Sequence, residues 1–187
     1  PLSSSSAASD VYKRQGINWA VANHCDIISM SLGADVRTVS VAYETVGKRA
    51  LNRGTLIVAA AGNNANRPGD PGFVGVPANS PSIMAVAAVD SAFGIARFSA
   101  QANPVDGGRI DIAAPGVNVF STWPMPTGYR SISGTSMATP HVAGIAALWS
   151  EATGLKAREL WTVLAQNAKA LPLPSVDVGV GLVQAPQ

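Results

Sequence analysis

The chain has 187 residues, 47% of them hydrophobic and 13% charged, with a formal net charge of +2. That length holds one domain with a substantial core, and 18 glycines with few aromatics point to tight α/β packing rather than disorder. No Lys/Arg run marks a nucleic-acid surface, no apolar stretch reaches the roughly 18 residues of a membrane span, and the one cysteine, Cys25, cannot form an internal disulfide.

In chain order, the first segment stands apart. "SSAASDVYKRQ", Ser5 to Gln15, resembles the in-frame translation of a transposase adaptor used in library preparation. Residues 1–15 are therefore read as a sequencing-adaptor or cloning scar, and the native portion as residues 16–187, the C-terminal part of a catalytic domain. "GINWAVANH" (16–24) sets Ile17, Ala20 and Val21 at helical spacing and reads as the end of a helix. "DIISMSLG" (26–33) is a short apolar run stopped by glycine, a buried strand. "SVAYETVGKRALNRG" (40–54) predicts a helix with Val41, Thr45, Val46, Ala50 and Leu51 on one face. Lys48, Arg49 and Arg53 collect at its C-terminal end, where cations oppose the helix dipole, and Gly54 ends it.

"TLIVAAAG" (55–62) and "SIMAVAAV" (82–89) are continuous apolar strands, and "RIDIAAPG" and "VNVFSTW" are shorter ones. Helices follow across 135–151 and 156–169. The first is apolar nearly all round (Met137, Val142, Ala143, Ile145, Ala146, Leu148) and is expected to be buried on most sides, with Pro140 tolerated in its first turns. Apolar strands alternating with helices define an α/β fold, a doubly wound and mostly parallel sheet with helices on both faces. The Gly/Pro-rich gap 63–80 is too long for a simple turn, and such loops are often functional.

A serine at the mouth of a helix, as Ser136 in "SISGTSMATPHVAG", is by itself only an N-cap. Two other segments converge on the same place. "AAAGNN" (59–64) puts the Asn63 amide at the carboxyl edge of a strand, where ligands bind in parallel sheets. "SMSLG" (29–33) ends a neighbouring strand at that edge. Asn63 and the N–H of Ser136 could together stabilise an oxyanion.

With "ISMSLG", "VAAAGNN", "DIAAPG" and "SISGTSMATPHVAG" in this order, the chain resembles the subtilisin-like serine peptidases, and most closely their proteinase K branch. The resemblance covers residues 16–187 and implies a serine endopeptidase acting on polypeptides through an acyl-enzyme. It assigns Ser136 as nucleophile and Asn63 as oxyanion donor. Ser31, Leu32 and Gly33 become the segment that pairs with substrate backbone. Ala59, Ala60, Ala61 and Gly62 become one wall of the primary specificity pocket. No acidic residue stands in those segments, so the pocket is expected to take large apolar or aromatic side chains. The family further implies secretion, a propeptide in the precursor, and no cofactor for the chemistry. A structural Ca²⁺ would be held by the carbonyls of Pro81 and Ile83 with Asp111, oxygen ligands that suit that ion.

The family's Asp and His lie in D-[ST]-G and H-G-T motifs ahead of the serine, and neither string occurs here. His141, at i+5, does not face Ser136 and reads as a hydrogen-bonded core histidine; His24 reads as solvent-facing and Asp90 as a turn residue. The missing pair is therefore expected upstream of residue 16, and this chain alone is expected to be inactive. An α/β-hydrolase is disfavoured because that fold needs an Asp and then a His well after the serine, and only Asp177 follows at any distance. The remaining alternative is a catalytically dead pseudopeptidase that serves as a binding module.

Overall fold

A computed structural model describes residues 4–103, 105 and 108–187, with side chains from Asp10 onward. In chain order the elements are α1 (Ser4–Ala22), β1 (Ile27–Met30), α2 (Val41–Asn52), β2 (Leu56–Ala60), β3 (Met84–Val89), β4 (Ile112–Pro115), β5 (Val119–Thr122), β6 (Tyr129–Ile132), α3 (Thr135–Thr153), α4 (Ala157–Gln166) and α5 (Ser175–Val178). Four strands form one parallel sheet in the order β1-β2-β3-β4.

Strand alternation divides the core in two. Ile57, Ala59, Ala85, Ala87, Val89 and Ala113 point to the face that carries Tyr43, Val46 and Ala50 of α2. Leu56, Val58, Met84, Val86, Ala88, Ile112 and Ala114 point to the other, against Ala138, Val142 and Ala146 of α3 and Leu160 and Leu164 of α4. Both faces are covered, which is why the central strands read as unbroken apolar runs instead of alternating ones. Full burial of each large side chain, such as Leu56, Ile57 or Leu160, contributes about 1.5–3 kcal/mol. Small residues at the crossing let α3 approach: a Cβ on Gly116 would lie 2.6 Å from Ala88 Cβ. The Gly116 carbonyl also accepts a 2.8 Å bond from Gly134 N–H, so the turn after β4 sets where α3 begins.

Helix α1 runs without a break through Ser5–Gln15 into "GINWAVA". Its Asp10 accepts a hydrogen bond from the Tyr43 hydroxyl at 3.3 Å. Burial, and secondarily the Asp10 carboxylate, pushes the Tyr43 phenol up to about 12.

Two expectations are corrected. "YRSI" forms β6, which pairs antiparallel with β5 as an exposed hairpin outside the main sheet, with the Phe120 and Tyr129 rings stacked at 5.5 Å. A fifth sheet strand is thus replaced by a ribbon. Helix α3 is not enclosed: Pro140, His141, Gly144 and Leu148 are exposed, because the sheet covers one side only and the hairpin stands beside the first turns. A cleft of about 450 Å³ lies between that hairpin and α3, lined by Phe120, Trp123, Met137 and His141.

Candidate active site

The site lies at the carboxyl edge of the sheet, where β1 and β2 end and α3 begins. Pro140 has no N–H, so the Ser136 carbonyl four residues earlier lacks its helical partner. That carbonyl accepts the Ser31 hydroxyl at 2.7 Å, and the Ser136 hydroxyl donates back to the Ser31 carbonyl at 3.3 Å. The proline that looks merely tolerated by α3 thereby ties the serine to the end of β1. Ser136 N–H, in the first turn, has no backbone partner among the described residues and lies at the positive end of the helix dipole.

Asn63 is held from the same turn. Its Oδ1 accepts both the Thr135 N–H and the Thr135 hydroxyl at 2.9 Å. The hydroxyl in turn accepts the Gly62 N–H at 3.3 Å, and Thr135 is wholly buried. Because Thr135 supplies two donors, the carboxamide must turn its oxygen to them, which leaves the Nδ2 hydrogens facing away and without a protein partner among the described residues. Two donors, Asn63 Nδ2–H and Ser136 N–H, are thus left uncommitted beside one serine hydroxyl.

A cavity of about 230 Å³ opens next to them, lined by Leu32–Asp35, Ala60–Asn63, Gly75, Val76, Thr135 and Ser136. Its walls are mostly backbone. Ala34 and Val76 exchange N–H···O bonds of 2.8 and 3.1 Å. A Cβ on Gly75 would strike the Ala34 carbonyl at 2.3 Å, so only glycine lets these strands close.

Of the residues assigned from sequence, Leu32, Gly33, Ala60, Ala61, Gly62, Asn63 and Ser136 meet on this cavity. Ser31 instead joins Ser136 directly, and Ala59 lies within β2 in the buried core. Sequence reasoning missed Ala34, Asp35, Gly75, Val76 and Thr135. The Gly-rich loop 63–80 was the signal for Gly75 and Val76, and the Thr adjoining Ser136 could have been found from its spacing. Asp35, outside the segments assigned from sequence, adds an acid to the cavity lining, and its Oδ1 accepts Asn64 Nδ2 at 3.0 Å.

His141 also departs from expectation. It is exposed rather than in the core, and its Nδ1 lies 2.8 Å from the Met137 carbonyl. His24 is exposed, and Asp90 closes its turn by accepting the N–H groups of Ala92 and Gly94 at 2.9 Å. Among the described residues the Ser136 hydroxyl therefore has no histidine or carboxylate partner.

Two of the three groups assigned to calcium, the Pro81 carbonyl and Asp111, are engaged by the chain itself. Arg109 Nε donates to Asp111 Oδ1 at 2.6 Å, and Arg109 Nη2 donates to the Pro81 carbonyl at 3.2 Å. Asp111 Oδ2 is taken by the Ala85 N–H at 2.8 Å. No group of three His, Cys, Asp or Glu able to hold a metal occurs among the described residues. Burial pushes the Asp111 carboxyl above its ordinary value, against the downward pull of the Ala85 N–H and Arg109.

These features define a subtilisin-like α/β sheet with a serine and an amide paired at its carboxyl edge, and the comparisons agree. A profile of the subtilase family matches residues 2–182, and the chain belongs to that family. It is 48% identical over 133 residues to a subtilisin of Bacillus pumilus, covering 71% of this chain and 45% of the relative. It is 46% identical over 174 residues to a thermostable alkaline protease of Halalkalibacterium halodurans, covering 91% and 44%. The solved structure of the prenylagaramide maturation protease PagA superimposes with a TM-score of 0.74 at 26% identity, covering 91% of this chain and 63% of that one. The chain thus spans less than half the length of these two curated relatives. The named relatives support the family and do not single out the proteinase K branch.

Proposed function

We propose that this chain is the nucleophile-bearing part of a serine endopeptidase that cleaves polypeptides through an acyl-enzyme on Ser136. The observation that carries this is the pairing of the Ser136 hydroxyl with two uncommitted donors, Asn63 Nδ2–H and Ser136 N–H, at the mouth of one cavity. In the proposed reaction Ser136 Oγ attacks the scissile carbonyl carbon while its proton passes to a base. The carbonyl oxygen becomes an oxyanion held by the two donors, and it collapses to leave the ester as the base returns the proton to the departing nitrogen, which leaves as the free amine. Ser31–Gly33, at the open end of edge strand β1, pairs with the substrate backbone. Among the described residues the Ser136 hydroxyl meets no histidine that could serve as that base. Secretion, a propeptide and the absence of any cofactor for the chemistry go with this reading by family likeness. Among the described residues no helix is long and apolar enough to cross a membrane.

The test is a chimera in which the part of the Bacillus pumilus subtilisin preceding the matched region is joined to this chain. The expected result is hydrolysis of a peptide anilide by the chimera and none by the 187-residue chain alone. A correctly folded chimera that binds peptide without turning it over would favour the binding-module alternative.

Selectivity follows from Asp35. With Oδ1 engaged by Asn64 and no partner on Oδ2 among the described residues, Asp35 can meet a cation that threads the cavity, so Lys and Arg are accepted beside large apolar side chains. Asp35→Ser should lower kcat/KM for Lys or Arg before the scissile bond by about 3–5-fold relative to Phe, the size of a solvent-exposed charge contact. Unchanged ratios across a peptide library would remove Asp35 from the specificity site.

A further inference from the structure

The carbonyl of Pro81 and the carboxylate of Asp111 face each other across the join between loop 77–83 and β4, an arrangement of oxygens suited to a hard cation. The group between them comes from the chain itself. Arg109 reaches both, with Nε on the carboxylate and Nη2 on the carbonyl, and its guanidinium carbon lies 5.4 Å from the centre of the Trp161 ring on α4. The contacts match guanidinium chemistry: divergent N–H donors fan to two acceptors while the flat cation rests on an aromatic face. A divalent ion placed here would meet a fixed positive charge, and it would find one carboxylate oxygen taken by Arg109 and the other by the Ala85 N–H.

We infer that Arg109 is the resident cation of this site, tying loop 77–83 to β4 in place of calcium and making this part of the molecule independent of the metal. The consequence reaches the active-site cavity, because this loop follows directly on Val76, which lines it. Removing the guanidinium leaves a buried carboxylate facing a carbonyl, and that pair of oxygens then recruits a metal. Arg109→Ala therefore converts a calcium-independent site into a calcium-binding one.

The experiment reads binding and stability, and needs no turnover. Terbium stands in for calcium, with Trp161 as the antenna for sensitised emission, and thermal melts are recorded in millimolar calcium or in chelator. For the unaltered chain the expected result is no terbium emission that depends on Asp111 and the same melting temperature in both buffers. For Arg109→Ala the melting temperature should fall by roughly 3–8 °C in chelator, as expected when a buried carboxylate loses its partner. Calcium should recover at least half of that loss, terbium emission should appear, and Arg109→Ala/Asp111→Asn should abolish both. Arg109→Lys, which keeps the charge but cannot bridge two acceptors, should melt between the two and stay blind to calcium. Calcium stabilisation of the unaltered chain that Asp111→Asn removes would overturn the proposal, and so would an Arg109→Ala variant that melts like the parent in chelator. If Arg109→Ala fails to fold, the unaltered chain and Arg109→Lys still decide it through the terbium signal.

Discussion

Ser136→Ala in the active chimera should lower kcat by about six orders of magnitude while leaving KM nearly unchanged, a magnitude established on a subtilisin and so taken over from a relative. The reason lies in what the hydroxyl does and what it leaves behind. It forms the new covalent bond, so its loss removes the reaction path, yet among the described residues its only hydrogen bond is the 3.3 Å contact to the Ser31 carbonyl. The tie that positions α3 against β1 runs the other way, from the Ser31 hydroxyl to the Ser136 carbonyl, and alanine keeps that carbonyl. The fold and the cavity should therefore survive, and only residual rate over water from the oxyanion donors should remain. Burst kinetics and steady-state rates on a peptide anilide measure this. Activity within tenfold of the parent would mean that another group is the nucleophile.

Asn63→Leu should lower kcat by about 10²–10³-fold with little change in KM, again a range set on a subtilisin and borrowed here. The donor acts on charge that develops only in the transition state, so ground-state binding is spared. Thr135 makes the prediction sharper. It holds Asn63 Oδ1 with two donors, one of them its hydroxyl. Thr135→Val keeps the N–H bond and the side-chain shape but loses the hydroxyl bond, so the amide turns less reliably toward the oxyanion. It also leaves the Gly62 N–H without its acceptor. The expected result is a loss in kcat smaller than that of Asn63→Leu, and a double variant no worse than Asn63→Leu alone, because Thr135 acts through Asn63. Additive losses would mean that Thr135 touches the substrate independently.

The sheet was legible because its strands are covered on both faces. After their first residues, Thr55 and Ser82, runs such as "TLIVAAAG" and "SIMAVAAV" carry no polar residue to place, and that can only be a buried parallel strand or a buried helix. The hairpin escaped notice for the opposite reason. "YRSI" has one half-buried residue and no apolar pattern, and its pairing with β5 is a matter of proximity. The exposed face of α3 was equally invisible, since composition reports what a face is made of and not whether anything lies on it.

By itself, the sequence determined the fold class, the four strands of the main sheet and the placing of Asn63 and Ser136 near its carboxyl edge. Those are encoded locally, by apolar runs, by the glycines that end them and by short motifs. The tertiary structure alone decided everything that depends on two distant segments meeting. It tied Ser31 to the carbonyl freed by Pro140, turned the Asn63 amide through Thr135, brought Asp35 to the cavity, and laid Arg109 across Pro81 and Asp111. Hydrogen-bond partners and counter-charges are chosen by distance in space. Residues 105 apart, as Ser31 and Ser136 are, carry no mutual signal along the chain until the sheet brings them together.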